Sequence, residues 1–366
     1  MERRSFLRRT GATVAGAAAA ASTARAPAVA SDTRELKMVT TWPENFPGLG
    51  TSAQRLADRI TRMSGGRLKV KLYAAGDLVP AFEAFDAVRN KTAEMYHGAE
   101  YYWVGSHKAF AFFSAVPFGF TAPEMSAWLH HGGGQELWDE LSAEFGLKAF
   151  PAANTGVQMG GWFREPVTSL EDMKGLRFRM PGLGGDVMRE IGVSVVNKPG
   201  GELFTALQSG NLDGTEWVGP WNDLAFGFYK ITKHYYWPGM HEPGTVLSMG
   251  MNRDIWDSLS DSDKAIVEAA TQAEHEYSLA EFNARNNDAL QTLINEHGVQ
   301  LHQMPDEVMR KLGDAAGDVL AGVAESDPMT KKVYDSYMAF REKALAWSRR
   351  ADFGYMRARD LDYTYR

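Results

Sequence analysis

The sequence predicts an α/β protein of two lobes that share one long helix. Its 366 residues are 44% hydrophobic and 23% charged, which is ordinary globular usage and enough for two cores. Strand and helix patterns alternate along much of the chain, as in βαβ units. One helical pattern, residues 260–297, would be roughly 55 Å long at about 1.5 Å per residue, enough to cross both lobes.

The expected division of the chain follows from where these patterns change. A leader is expected first, then two lobes that each take two segments, then a helical extension. The expected segments are 1–30 for the leader, 31–155 with about 215–250 for lobe I, 156–214 with about 251–325 for lobe II, and 326–366 for the extension.

The first thirty residues have the pattern of an export signal. A basic stretch, ERRSFLRR, precedes an Ala/Gly-rich apolar region and the small residues Ala28-Val29-Ala30. The Arg3-Arg4 pair is similar to a twin-arginine signal, which exports folded proteins, and a plain secretory signal with chance arginines is the alternative. Residues 1–30 hold five arginines and one glutamate, so their removal lowers the formal charge from −7 to −11.

The acidic balance and the absence of cysteine exclude several classes of function. A negative surface disfavours nucleic acid and anionic lipid as partners. No later apolar run is long enough to span a bilayer, so we expect a soluble exported protein. The chain has no cysteine, which excludes disulfides, thiolate catalysis and cysteine metal sites and leaves stability to the buried core.

Lobe I opens with a pattern typical of a βαβ unit. ELKMVTT (residues 35–41) predicts a strand, and residues 51–63 place Leu56, Ile60 and Met63 at helical spacing. RLKVKLY then alternates apolar and basic residues, as a strand with one wet face does. FAFFSAVPFGF (residues 110–120) is apolar and interrupted by proline and glycine, which favours a buried, bent strand. An apolar helical pattern from Trp128 to Leu141 follows.

Lobe II contains the two segments that carry the expected binding chemistry. LRFRMPG predicts a strand with Phe178 and Met180 on one face and Arg177 and Arg179 on the other. In FTALQSGNLDGTEWVGPWN (residues 204–222), a helix ends at a glycine and a tight turn leads to a glutamate between aromatic residues. We expect this glutamate, Glu216, to project into a cleft, and a surface turn with core tryptophans is the alternative.

The C-terminal helix carries two apolar stripes. Val333, Tyr337, Phe340, Ala344 and Trp347 form one stripe, and residues such as Tyr334 and Met338 form another. A helix that is apolar on two sides needs two packing partners. We therefore expect it to pack on a neighbouring subunit, with packing inside one chain as the alternative.

Arg179 is the best candidate to hold an anionic ligand, because a guanidinium can grip a carboxylate with two parallel hydrogen bonds. Glu216 would repel such a ligand unless a cation lay between them. We expect an oxygen cage for sodium or calcium made by Glu216, the Gln158 side chain, the Trp217 carbonyl and Glu242. In the competing arrangement Glu216 pairs directly with Arg179, and no metal is needed.

No signature of an enzyme appears in the chain. HExxH, GxSxG and Walker motifs are absent, and so is GxGxxG after a strand. His130 and His131 point about 100° apart on a helix and would not easily share an ion. An acid/base pair of Glu216 and His241 remains an alternative.

The succession of LRFRMPG, a helix and FTALQSGNLDGTE resembles the DctP-type substrate-binding proteins of tripartite ATP-independent periplasmic (TRAP) transporters, over nearly the whole mature chain. The resemblance implies a type II-like periplasmic binding fold of two α/β lobes, a long helix across both and a C-terminal helical extension. It also implies that Arg179 pairs with a ligand carboxylate.

EWVGPWND, with Gln158 and Glu242, is similar to the branch of that family that binds 2-oxo acids or lactate through a cation. That resemblance implies metal ligands at Gln158, Glu216, Trp217 and Glu242. Its implied ligand contacts are Tyr101 or Tyr102, Gln158, Arg179, Trp217 and Asn222. It also implies a C-terminal helix exchanged between the subunits of a homodimer.

The expected function is that of a periplasmic receptor that performs no chemistry. It would close around a small monocarboxylate and deliver it to the membrane permease. A larger acid, such as a sugar acid or C4-dicarboxylate, would need a second cationic wall that the sequence does not locate. An exported lyase or hydrolase is the alternative from another class.

Overall fold

The computed structural model describes residues 33–365, so the predicted export signal lies outside the described residues. Eleven strands are described: β1 (Arg34–Thr40), β2 (Leu68–Tyr73), β3 (Met95–Gly98), β4 (Leu147–Asn154), β5 (Gly161–Phe163), β6 (Arg177–Arg179), β7 (Ser194–Val196), β8 (Gly214–Thr215), β9 (His234–Trp237), β10 (Val246–Asn252) and β11 (Gln300–Gln303).

Twelve α-helices are described in the same range: α1 (Gly50–Met63), α2 (Ala84–Arg89), α3 (Ala122–His131), α4 (Gly134–Glu144), α5 (Gly182–Glu190), α6 (Leu203–Gln208), α7 (Pro220–Phe226), α8 (Arg253–Asp257), α9 (Asp261–Asn295), α10 (Asp306–Ala324), α11 (Pro328–Ser348) and α12 (Asp352–Arg359). Between Thr33 and Tyr365, no helix combines the length and the apolar character that crossing a membrane requires.

The strands form two sheets, as expected for the predicted two-lobed α/β fold. The first has the order β2-β1-β3-β10-β4, in which β1 runs parallel to β2 and β3 while β10 is antiparallel to β3 and β4. The predicted βαβ unit is present as β1-α1-β2. Every residue of β4 and β10 is buried, which indicates that both faces of this sheet are covered.

The second sheet has the order β11-β9-β5-β8-β6-β7. Strands β6 and β8 are parallel neighbours whose register places Arg179 opposite Thr215. The backbone N–H of Glu216 donates to the Arg179 carbonyl at 3.3 Å, so this pairing brings Arg179 and Glu216 together. Two segments that are far apart in sequence thus meet at the end of adjacent strands.

One segment lies in a different sheet from the one expected. The expected range for lobe I, about 215–250, includes β9, but β9 pairs with β5 and β11 in the second sheet. The chain returns to the first sheet only at β10. The remaining lobe boundaries stay predictions.

Two local predictions in the first lobe are wrong. Residues 110–120 do not form a strand, because Lys108–Phe113 is a 3-10 helix followed by turns. Phe110, Phe112 and Phe113 are all buried, which a strand with one covered face could not achieve. The apolar pattern from Trp128 to Leu141 is divided between α3 and α4, which meet at Gly133 with a positive φ of 82°.

The predicted long helix is present as α9, with 35 residues. Ser260 begins it as predicted, because its side chain accepts a hydrogen bond from the backbone N–H of Asp263. Near its middle, the buried Glu274 contacts Arg55 of α1 at 2.8 Å. Farther along, Asn286 accepts a hydrogen bond from the N–H of Trp221 in α7 at 3.2 Å. The helix therefore contacts α1, which connects two strands of the first sheet, and α7, which connects two strands of the second sheet.

The C-terminal extension is helical, as predicted, and its first stripe packs within the same chain. Val333 and Tyr337 are buried, and the Tyr337 hydroxyl accepts a hydrogen bond from the Phe120 N–H at 2.9 Å. Phe340 and Ala344 are partly buried against the same core, and farther along the apolar side chains become exposed, with Trp347 at 69% and Phe353 at 56%. Packing within the chain thus accounts for the early part of the helix.

Candidate functional site

The predicted arginine and glutamate form a fully buried ion pair. Arg179 Nη1 contacts Glu216 Oε1, and the two side chains are 1% and 0% exposed. Arg179 Nε also donates to the carbonyl of Lys198 at 3.0 Å. The register of β6 with β8 places Arg179 opposite Thr215 and so brings Arg179 next to Glu216. This direct ion pair is the alternative to the expected cation site, in which Glu216 pairs with Arg179 and no metal is needed.

A second acid and an amide lie beside this pair. Gln158 Nε2 donates to Glu242 Oε2 at 2.8 Å, and Thr245 Oγ1 donates to the same oxygen at 2.7 Å. Tyr101 completes the contacts of this carboxylate through its hydroxyl at 3.3 Å. The WPGMHEPG loop between β9 and β10 positions Glu242. Gln158 is held to that loop, because its backbone N–H donates to the Glu242 carbonyl.

His241 contacts Glu216 and lies close to Glu242. It was not among the cation ligands expected from the sequence. Its Nε2 lies 3.2 Å from Glu216 Oε2, and the ring is 2% exposed. One ligand atom each from Glu216, His241 and Glu242 lie within 4.8 Å of one another. The available signals were the adjacent Glu242 and the acid/base pairing with Glu216 that was considered as an alternative. We refer to Gln158, Arg179, Glu216, His241 and Glu242 as the Arg179 cluster.

Aromatic rings wall the cluster. The Trp217 ring lies under the Arg179 guanidinium at 5.1 Å, and Trp42 meets Trp217 edge-on at 6.1 Å. Gly200 leaves room for the Trp217 ring, because a Cβ at that position would lie 2.4 Å from the ring. A small cavity is lined by Trp42, Leu49, Tyr101, Tyr102, Thr155, Gln158, Trp217, Val218 and Leu247.

Tyr101, which lines the cavity, packs against a segment that follows a strand of the second sheet. Tyr101 follows β3, whereas Gly182 begins α5 after β6. A Cβ at Gly182 would lie 3.0 Å from the Cβ of Tyr101, so the two segments touch there. Gly182 also has a positive φ of 58°, which most side chains rarely adopt. A glycine after Pro181 is therefore required for this close approach.

Several polar atoms of the site have no internal partner. Burial without a hydrogen bond is unfavourable, so such atoms commonly face a ligand, an ion or water. Within residues 33–365, the buried side-chain atoms that lack a hydrogen-bond partner include Gln158 Oε1, Arg179 Nη2, Trp217 Nε1, Asn222 Oδ1 and His241 Nδ1.

Burial and neighbouring charge shift the titration of this site. Burial, reinforced by the charge of Glu216, raises the pKa of Glu242 to about 7. Burial acts to lower the pKa of His241, but its hydrogen bond to Glu216 and the two acidic charges outweigh burial and raise that pKa. Burial raises the pKa of Tyr102 to about 12 against the opposing effect of Arg179.

The donor set suits a hard cation. Sodium and calcium prefer oxygen ligands, and the cluster offers two carboxylates and the unpaired Gln158 Oε1. The residues that would hold the ion are Gln158, Glu216, Glu242 and the Trp217 carbonyl. A cation would also stabilise the charged form of Glu242, whose pKa is raised by burial and by the charge of Glu216.

Asn222, predicted as a ligand contact, is buried in α7. Its Nδ2 donates to the Pro47 carbonyl at 3.0 Å, which ties α7 to the loop that follows β1. Arg177, in contrast, is half-exposed and pairs with Asp213 at 2.5 Å. This surface ion pair gives Arg177 no part in the buried cluster.

A family model described as bacterial extracellular solute-binding protein, family 7 (DctP), matches residues 38–327. The chain belongs to this family. The resemblance to DctP-type proteins inferred from the arginine strand is thereby confirmed.

Among curated proteins, this family 7 member is similar to a monocarboxylate 2-oxoacid-binding periplasmic protein of Nostoc sp. The two are 39% identical over 319 residues, which cover 87% of each chain.

Two solved structures of TRAP periplasmic solute-binding proteins are also similar. One, from Pseudoalteromonas atlantica with bound sodium and pyruvate, is 37% identical with a TM-score of 0.86, covering 90% of this chain and 100% of that one. The other, from Bordetella bronchiseptica, is a dimer with calcium and picolinate in its occupied site. It is 32% identical with a TM-score of 0.87, covering 89% and 97%. The predicted fold class is confirmed by both.

Proposed function

We propose that this family 7 protein is the periplasmic receptor of a TRAP transporter and binds one small monocarboxylate, a 2-oxo acid such as pyruvate, or lactate. The observation that carries the proposal is the buried Arg179, whose Nη2 has no hydrogen-bond partner in the described part of the chain. That nitrogen is available to a ligand carboxylate while Nη1 stays on Glu216. The 2-oxo acid specificity of the Nostoc protein and the pyruvate bound to the Pseudoalteromonas atlantica protein support the same chemistry.

The cation in the proposal is sodium or calcium, held by Gln158, Glu216, Glu242 and the Trp217 carbonyl. When bound, it supplies positive charge to a site that already contains two acids. Arg179 would hold one end of the acid, and Tyr101, Tyr102 or Asn222 would contact its 2-oxygen. Trp42 and Trp217 would exclude water from the polar contacts and so strengthen them.

The lining of the cavity favours a small acid with one carboxylate. Of the described residues that line it, none is a lysine or an arginine, and four are large aromatic residues. A dicarboxylate or sugar acid would bring a second polar group against Leu49, Val218 or Leu247. Burial of an unpaired charge there would be strongly unfavourable.

Calorimetry of the exported form tests the proposal. The protein is dialysed against buffer that contains neither sodium nor calcium, and pyruvate is titrated in alone, with sodium or with calcium. We expect binding at least about tenfold tighter with one of the cations, and an unchanged acid recovered afterwards. Succinate is the matched control and should bind far more weakly. Absence of pyruvate and lactate binding under all three conditions would contradict the ligand assignment.

The proposal includes export by the twin-arginine route, delivery to a membrane permease and a homodimer formed through residues 326–366. The exposed Trp347 and Phe353 support the dimer, and so does the dimeric state of the Bordetella bronchiseptica protein. Light scattering should give twice the chain mass. Trp347→Glu should lower that mass toward the monomer, whereas Leu78→Glu, at an exposed apolar residue outside the extension, should not.

A further inference from the structure

One wall of the cavity is held by a histidine that lies outside it. Trp42 follows β1, lines the cavity and is 2% exposed. Its indole Nε1 donates to Nδ1 of His97 in β3 at 2.9 Å. The backbone reinforces this contact, because the His97 carbonyl accepts from Thr41 N at 3.2 Å and from Thr40 Oγ1 at 2.9 Å. The end of β1 is therefore bonded to His97 through both backbone and ring.

The polarity of the ring contact is fixed by chemistry. An indole nitrogen can only donate, so His97 Nδ1 is the acceptor and the ring is in its neutral Nε2–H form. Burial, followed by the nearby charge of Arg55, lowers the pKa of His97 to about 3. The imidazole therefore offers the same acceptor to Trp42 throughout the neutral range.

The orientation of Trp42 affects the rest of the wall. Its ring meets Trp217 at 6.1 Å with an interplanar angle of 80°, and it lies 6.1 Å from Tyr102. Trp217 in turn lies under the Arg179 guanidinium. A rotation of Trp42 would change both the width of the cavity and the packing of the ring that supports Arg179.

We propose that His97 is a positioning residue that sets the size of the acid accepted by the cavity, through its hydrogen bond to Trp42. The proposal rests on the function proposed above. Without the acceptor, the buried indole N–H would lose its partner, which is unfavourable, and the ring would turn toward another acceptor. The cavity would then lose its fixed width. Affinity for a small acid would fall, and discrimination against a branched acid would weaken.

The variants separate the acceptor from the bulk of the imidazole. His97→Leu removes the acceptor, and His97→Asn restores one through its side-chain oxygen. His275→Leu is the matched control, because His275 is also buried but lies on α9, where its Nε2 contacts Ser126. The measurement is the ratio of dissociation constants for 3-methyl-2-oxobutanoate and pyruvate under the cation condition that gives the tightest binding.

We expect His97→Leu to lower that ratio by at least about tenfold and His97→Asn by less than about threefold. His275→Leu should leave the ratio unchanged. Trp42→Phe deletes the donor and should lower the ratio like His97→Leu, which provides a second arm if the leucine variant does not fold. In the Trp42→Phe background, His97→Leu should add no further change. Additive effects would overturn the proposal.

A measurement without ligand keeps this test independent of the proposed function. In ¹H–¹⁵N spectra, the Trp42 indole resonance, assigned through Trp42→Phe, should move upfield in His97→Leu and stay near its original position in His97→Asn. A resonance unmoved in His97→Leu overturns the positioning role. A resonance that moves while the ratio stays constant overturns the role in selectivity. If the wild type binds neither acid, the proposed function is contradicted, and the selection for acid size is contradicted with it. The Trp42 indole resonance would still show whether Trp42 donates to His97.

Discussion

Two glutamates, Glu216 and Glu274, are completely buried against arginine, yet their surroundings differ. Glu274 on α9 accepts hydrogen bonds from Ser52 at 2.8 Å, Arg55 at 2.8 Å and Arg59 at 3.4 Å. Both of its arginines keep about a quarter of their side chains exposed, at 27% and 23%. We refer to these four residues as the Glu274 cluster. Glu216, in contrast, faces an arginine that is itself buried.

The comparison shows how one kind of ion pair serves two purposes. In the Glu274 cluster, the arginines reach water, and Arg55 also contacts Glu281 at 2.9 Å, so the pair joins α1 to α9. In the Arg179 cluster, the guanidinium is sealed from solvent. Within the described residues 33–365, its Nη2 and the neighbouring Gln158 Oε1 lack partners, as does Arg59 Nε in the Glu274 cluster, so the exposure of the arginines is what separates the two clusters. The first arrangement joins helices, and the second is the one that we propose to hold a ligand.

The largest expected effect is on stability. Glu216→Gln leaves a buried, unpaired guanidinium, and we expect the free energy of unfolding to fall by about 3–5 kcal/mol. Glu274→Gln should lower it by about 2 kcal/mol, because its two arginines can still contact water. Urea denaturation of the ligand-free protein measures both. Equal losses would show that exposure of the arginine does not matter.

The next effect is on affinity. Arg179→Met removes the expected carboxylate contact and should weaken pyruvate binding by at least about a hundredfold. Arg55→Met is the matched control and should leave the dissociation constant within about twofold, because the Glu274 cluster lies on α1 and α9. Fluorescence titration measures both variants. A similar loss in Arg55→Met would mean that the two clusters are not functionally distinct.

Another buried acid, Asp223, forms no salt bridge with any residue between Thr33 and Tyr365. It accepts from Tyr235 at 2.7 Å and Trp162 at 3.0 Å, yet burial raises its pKa from 3.8 to about 7. The folded state thus binds this proton more tightly than the unfolded state. The resulting stability is fully present below about pH 4 and is lost as pH rises to about 7, by at most about 1.4 kcal/mol per pH unit.

Asp223→Asn checks this pH dependence. Asparagine cannot ionise, so the free energy of unfolding of the wild type minus that of the variant should decrease between pH 4 and pH 7 and then level off. Urea denaturation at several pH values measures the difference, and other titrating groups cancel in it. A difference that is constant with pH contradicts the raised pKa of Asp223.

The smallest effect is expected for Arg59→Met. Arg59 contributes one contact of 3.4 Å to Glu274, which keeps Ser52 and Arg55. The free energy of unfolding should fall by less than about 1 kcal/mol, and pyruvate affinity should not change. A larger loss would show that Glu274 requires both arginines, as Glu216 requires Arg179.

Much of the fold could be predicted from the sequence. Short-range periodicity was sufficient for the β1-α1-β2 unit and for α9, whose start depends on Ser260 and its own neighbour Asp263. The prediction for residues 110–120 was wrong because an apolar run without periodicity does not distinguish a strand from a buried 3-10 helix. Phe113 there stacks between Trp128 and Trp138, and those contacts come from α3 and α4.

The candidate site divides in the same way. Arg179, Glu216 and Gln158 were identified from residue type and local turns, and the structure places them in one buried cluster. The contact of His241 with Glu216 was considered only as an acid/base pair, and His241 was not expected beside the proposed cation ligands, since a histidine before a glutamate in a loop carries no local signal for that role. The role of each residue toward a ligand or cation stays a prediction.

By itself the sequence determined many of the elements and the residue types able to bind an acid, because hydrophobic period, glycine turns and charge act over a few residues, while the leader stays a prediction. Only the tertiary structure decided which arginine is sealed from water. Arg177 and Arg179 are two positions apart on one strand, yet one is half-exposed and the other is buried. The two arginines share one face of the strand, so the difference comes from what packs at each position along it, and Trp217 and Tyr102, which lie next to Arg179, come from other parts of the chain.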